Sequence, residues 1–351
     1  MKFLKSEGSS TMTSMYIQNI LEQPASLNAT MDSIDRLPYT DQYYQKLQSG
    51  EIRRVVLTGM GSSYHALHPL LIRLTQENIM AQMIETSELV HFMGNILQPS
   101  TLVIAVSQSG QSAETIQLLK LCNGKVPIIG ITNTKSSPLA IHSDTAIITQ
   151  AGDEHSVSCK TYVSALAALT WIGDRLIGTT DEFSKIIEAP RAVADYLAHC
   201  EDHVQWFLEL MNGINKIFLV GRGASLSAVG TGALIIKESS RFAAEGMSCA
   251  AFRHGPMETT SSESMLVVYK GTKPTEKLNV DLYSRILELG GKSVLICTSP
   301  ELNAITLPPI PIEAMPILEI LPAQMLSVAL ARLHGIIPGD FIFGNKITST
   351  E

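Results

Sequence analysis

The chain has 351 residues, 45% of them hydrophobic and 17% charged, and a formal net charge of −7. That length accommodates two domains with a core each, and that balance belongs to a globular chain, not a disordered one. The acidic excess, without a block of Lys and Arg, argues against a nucleic-acid partner, so any anionic ligand has to be held by local donors.

The five cysteines, Cys122, Cys159, Cys200, Cys249 and Cys297, form no Cys-x-x-Cys pair. Neither a zinc site nor a disulfide framework is expected, and reduced thiols point to the cytoplasm. The start, MKFLKSEGSS, lacks the apolar core of a signal peptide. No apolar run reaches the roughly 18–20 residues of a membrane span, so no membrane partner is expected.

Residues 1–15 read as a loose tail, followed by a helical segment over 16–45. In it MYIQNILEQPASLNATMDSI places apolar residues at three- and four-residue steps, with a break at Pro24. Residues 46–180 alternate strand-like and helix-like runs. RRVVLTG (53–59) predicts a buried strand, and SSYHALHPLLIRLTQ a helix with Ser62 or Ser63 at its N-cap. AQMIETSEL, TLVIAVS, KVPIIGIT and DTAIITQ add further short apolar runs, a pattern that predicts an α/β fold with a parallel sheet. Residues 181–212 are amphipathic without a strand signal and read as a helical connector. A second block, 213–340, opens with strand-like KIFLVGRGAS (216–225), and 341–351 form a tail.

The two blocks share a plan. RRVVLTGMGSSYHALHPLLIRL (53–74) and NKIFLVGRGASLSAVGTGALII (215–236) both run from an apolar strand through Gly-x-Gly-small-Ser into a long helix, which marks a duplicated unit. Neither GMGSSY nor GRGASL completes the dinucleotide pattern with its last glycine, so a nucleotide cofactor is not supported.

The stretch AVSQSGQSAET (105–115) ends a strand in hydroxyls and amides without a charge. Ser107, Gln108, Ser109 and Ser112, with backbone N–H groups freed at a helix start, make a cup of neutral donors suited to a phosphate. Gly61, Ser62 and Ser63 are placed to form the opposite wall. In the second block a helix is expected to end near Gly246, with Glu238 and Glu245, seven residues apart, on a similar face. Arg253-His254-Gly255-Pro256 follows.

Taken together, GMGSSY, SQSGQSAET, DEHSVSCKTY (153–162), KESSRFAAEGMSCAAFRHGPME (237–258), LPAQ (321–324) and NKITSTE (345–351) resemble the sugar isomerase (SIS) family. The chain is similar to its members with two such domains, the isomerase half of glucosamine-6-phosphate synthase and stand-alone deaminases. The resemblance implies two tandem SIS domains, each a flavodoxin-like three-layer sandwich, and a sugar phosphate held by the SQSG loop and by the segment containing Ser158. It further implies that Glu238 is the proton-transfer base and His254 the ring-opening residue, supplied to a neighbouring subunit. Lys346 would sit in a closing tail over the open-chain sugar. A homodimer, or a dimer of dimers, with shared active sites follows, and no metal or redox cofactor is required.

The chain departs from the synthase pattern at Ile235, where the synthase carries a lysine, and it lacks Pro-Arg-Asn-Leu before the tail. No glutaminase segment is recognisable, so the expected reaction is release of ammonia from a phosphorylated amino sugar, leaving a ketose 6-phosphate. A fructosamine 6-phosphate deglycase is the alternative within the same chemistry. A non-catalytic sugar-phosphate regulator is the alternative outside it.

Overall fold

The computed structural model describes residues 14–37, 41–300, 304–343 and 346. The tail over residues 1–13 and most of NKITSTE thus lie outside the described residues; of 341–351, residues 341–343 and Lys346 are described.

The apolar runs become two parallel five-stranded sheets. The first contains β1 (Arg54–Gly59), β2 (Ala81–Glu85), β3 (Thr101–Val106), β4 (Ile128–Thr132) and β5 (Thr145–Ile148), in the order β2-β1-β3-β4-β5. The second contains β6 (Lys216–Gly221), β7 (Ala244–Ser248), β8 (Ser264–Tyr269), β9 (Lys292–Cys297) and β10 (Ala304–Thr306). Its order, β7-β6-β8-β9-β10, is the same when counted within the repeat. This is the doubly wound 2-1-3-4-5 arrangement, and the topological switch point lies between the first and third strands of each sheet. There Leu57 stands opposite Ile104, and Val220 opposite Val268. All six residues of β3 and all six of β8 are buried, as strands covered on both faces require.

The N-terminal pattern breaks where expected: one helix spans Met15–Leu21, and a second, Gln23–Asp35, starts with Pro24 in its first turn, where proline lacks no needed donor. The connector is helical over Asp181–Lys185, Ala189–Leu197 and Cys200–Leu210. Two buried helices, Lys160–Ile177 and Ile320–Leu333, fill the interior, one from each repeat. The stretch Ile312–Leu333 is apolar and long enough to span a bilayer, but 94% of its apolar window is packed inside the fold. It serves as a core element.

Two expectations about local structure are corrected. The helix after β1 begins at Gly61 with Met60 as its cap, so neither Ser62 nor Ser63 is an N-cap. The helix after β6 spans Leu226–Ser240 and stops at Arg241, which adopts a left-handed conformation (φ 56°). Glu245 therefore lies on β7, exposed, and shares no helix face with Glu238.

Candidate functional site

The first switch point opens into a cavity of about 610 Å³. Its floor is formed by the turn after β1, with Met60, Gly61, Ser62 and Ser63, and by the loop after β3, with Ser107, Gln108, Ser109 and Ser112. Ser158 and Glu238 line it too, and Lys346 and Phe343 reach it from the tail. Every expected phosphate-binding residue, and two of the three expected catalytic residues, are thereby brought to one cavity.

The loop geometry explains how neutral side chains can hold an anion. Ser107 Oγ accepts from the Gly110 N–H (3.1 Å), and Ser109 Oγ from the Gln111 N–H (3.4 Å). Ser112 is the N-cap of helix Ala113–Cys122, accepting from the Thr115 N–H (3.4 Å). The Ser107 and Ser109 oxygens thus accept from backbone and keep their own protons for a ligand. Ser62 Oγ is buried without a hydrogen-bond partner among the described residues, as befits a hydroxyl not used for capping. Gly110 is fixed by conformation and space: its φ is +64°, and a Cβ there would come within 2.2 Å of Ser137 Oγ.

Glu238 projects from helix Leu226–Ser240, which belongs to the second repeat but packs against the Gly61–His65 helix of the first. Burial pushes its carboxyl up to about 7; the ammonium groups of Lys346 and Lys237 oppose the rise and the charge of Glu154 adds to it. A carboxyl poised near neutrality can both take and return a proton at physiological pH.

Glu154, within DEHSVSCKTY, does not line the cavity but holds the lysine that does, and no motif points to it. Its side chain is fully buried and accepts from Lys346 Nζ (2.8 Å). It also accepts from the Cys159 N–H (3.0 Å), the Thr161 N–H (3.2 Å) and the Thr161 hydroxyl (2.5 Å). It therefore caps helix Lys160–Ile177 from upstream, in the field of the helix dipole. Burial alone would raise its pKa, but Lys346 and these hydrogen bonds hold it below the usual carboxylate range. The tail is tied down again where Ser156 Oγ donates to the Gly339 carbonyl (2.6 Å) and Arg241 to that of Asp340 (2.9 Å).

Two residues singled out in the sequence lie outside this cavity. His254 caps the short helix Cys249–Arg253 on the exposed surface and does not line this cavity. Ile235 is fully buried in the core, and its neighbour Leu234 meets the cavity instead. The isoleucine that departs from the synthase pattern thus contributes no lining to the cavity.

A parallel 2-1-3-4-5 sheet present twice, with a serine-lined cup at the first switch point, defines a duplicated, doubly wound α/β fold. The SIS domain pattern matches residues 51–172 and 210–332, and the chain belongs to the SIS domain family. It is 30% identical over 337 residues to a glutamine–fructose-6-phosphate aminotransferase (isomerizing) of Pyrococcus horikoshii, a match covering 91% of this chain and 55% of that protein. The chain spans about half the length of the curated relatives it matches. In structure it is similar to the C-terminal domain of glucosamine-fructose-6-phosphate aminotransferase from Francisella tularensis, with a TM-score of 0.82 and 20% identity, over 93% of this chain and 99% of that one. It is also similar to glucosamine-6-phosphate deaminase from Thermotoga maritima, with a TM-score of 0.72 and 19% identity, over 93% and 97% of the two chains.

Proposed function

We propose that the chain is a phosphosugar isomerase and deaminase, converting a glucosamine-6-phosphate-like substrate to a ketose 6-phosphate and ammonia. The observation that carries this reading is the placement of Glu238, with its pKa near 7, in the same cavity as the hydroxyl cup and Lys346. The names of the relatives, an aminotransferase that isomerises fructose 6-phosphate and an amino-sugar deaminase, support the same chemistry.

In this reading the cup grips the phosphate, and the sugar extends toward Glu238. Ring opening exposes the C1 aldehyde beside the amine-bearing C2. Ionised Glu238 removes the C2 proton, the enolamine takes a proton at C1, and the resulting C2 imine is hydrolysed by water to ketone and ammonia. The Lys346 ammonium stabilises the negative charge that develops on the oxygen at C1, and the tail excludes bulk water. His254, exposed and outside the cavity of its own chain, is supplied by a second copy for ring opening, so the working unit is a homodimer. The free cysteines accord with a cytoplasmic setting.

The test is an assay of ammonia and amino-acid release on glucosamine 6-phosphate, galactosamine 6-phosphate and a fructosamine (fructose–amino acid) 6-phosphate. Release from glucosamine 6-phosphate, abolished in Glu238→Gln, is expected; an amino acid released from the fructosamine in its place would identify a deglycase. No turnover of any of the three would overturn the enzymatic reading.

A further inference from the structure

We propose that the second repeat holds a binding site of its own, which takes a sugar phosphate without converting it. A cavity of about 310 Å³ opens at the second switch point, at the carboxyl ends of β6 and β8. Open α/β sheets bind ligands at this place, and the volume is that of a small-molecule pocket.

Its parts correspond to those of the first cavity. Arg222, Gly223 and Ala224 line it from the turn after β6, as Met60, Gly61 and Ser62 do after β1. Thr272, Lys273 and Thr275 line it from the loop after β8, and Thr275 directly precedes helix Glu276–Glu288 as Ser112 precedes helix Ala113–Cys122, though only Ser112 accepts a capping hydrogen bond with its side chain. The two loops leave their sheets in register, since Ser107 N–H donates to the Ile131 carbonyl and Lys270 N–H to that of Ile296, both at 3.0 Å. The far wall again comes from the opposite repeat. Ile72 and Leu234 each follow their Gly-x-Gly by the same interval, and so do Gln76 and Glu238. Each of these four lines its own cavity.

The differences define the ligand and the absence of turnover. Gln76 stands where Glu238 stands, and an amide cannot accept and return a carbon-bound proton. Cations replace neutral donors at the mouth. Arg222 Nε donates to Asn279 Oδ1 (3.1 Å), its guanidinium also meets the Cys249 thiol, neither partner is a carboxylate, and Lys273 is exposed at the rim. The lining carboxylates are engaged: Glu182 with Arg73 (3.1 Å) and Glu313 with Lys185 (2.8 Å). What the mouth offers a ligand is therefore the charge of Arg222 and Lys273 beside the amino end of a 13-residue helix, whose first-turn Glu276 is paired with Lys270 (3.2 Å), a setting for a phosphate group.

The site is independent of what the first cavity catalyses, and a chain inactive on amino sugars leaves the test intact. The experiment is calorimetric titration of the full chain with fructose 6-phosphate. Two molecules per chain are expected. Ser109→Ala weakens one of them, and Arg222→Gln with Lys273→Gln weakens the other by about tenfold or more, the loss of a charge-assisted contact. Because Arg222 also holds Asn279, Lys273→Glu alone serves as the second variant, with weakening at the same site expected. One molecule per chain, sensitive to Ser109→Ala, would overturn the proposal, as would two molecules indifferent to both cation variants.

Discussion

Lys346 Nζ lies 2.8 Å from Glu154 Oε2, a contact between residues 192 positions apart that joins the tail to the start of the central helix of the first repeat. One carboxylate thus holds a helix end and a lysine over the cavity together. If the pair acts as a unit, Glu154→Gln and Lys346→Met are non-additive. A double-mutant cycle on chemical denaturation is expected to show a coupling of about 0.5–3 kcal/mol, the range for residues in one salt-bridge network. Simple additivity of the two substitutions would show that the tail docks without this contact.

The raised pKa of Glu238 fixes the acid side of the pH profile. A base works when ionised, so kcat should fall as pH drops below about 7. Glu238→Gln should lower ammonia release by about 10²- to 10⁴-fold and remove that dependence. A variant that keeps the limb near pH 7 would assign it to another group.

Substitution in the cup should separate grip from chemistry. In the proposed reading Ser109 grips the phosphate equally in ground and transition states, so Ser109→Ala should raise KM about tenfold with kcat little changed. Steady-state kinetics decide this, and an equal fall in kcat with KM constant would move Ser109 to the reacting end.

Glu319 makes a stability prediction away from the cavity. It is fully buried, takes one hydrogen bond from Ser225 Oγ (2.8 Å), leaves Oε2 without a partner, and is pushed by burial up to about 7. A carboxyl with a raised folded-state pKa favours the folded state while protonated. Its contribution is present below its ordinary pKa and is lost as pH rises through about 7. Glu319→Gln, which keeps a neutral group there, should flatten the decline of Tm between about pH 5 and 8. Parallel melting curves for both chains across that range would refute this.

The sheets were legible because their strands are continuous apolar runs closed by small residues, as in TLVIAV before SQSG and KIFLVG before Arg222. The helix carrying Glu238 was misread at its end because Arg241, not glycine, adopts the left-handed cap, and FAAEGMS then reads as further helix. In truth Ala244 and its neighbours pair with β6, a long-range preference that overrides local propensity. Ser62 and Ser63 passed for caps because the cap type alone does not reveal that Gly61, at φ +53°, starts the helix. Glu154 carried no local signal at all, since its partners are a lysine far along the chain and backbone groups that exist only once the helix forms.

Helix Leu226–Ser240 carries Glu238 into the cavity of the first repeat, while helix His68–Gln76 walls the cavity of the second. Neither half of the chain contains a finished pocket. Split within the 181–212 connector, the two pieces would have to find each other in solution, and activity would vary with the product of their concentrations. Fused, they meet at a fixed and high local concentration, so the walls that one chain supplies to each pocket assemble independently of dilution, and only the contribution proposed for a second copy still depends on it.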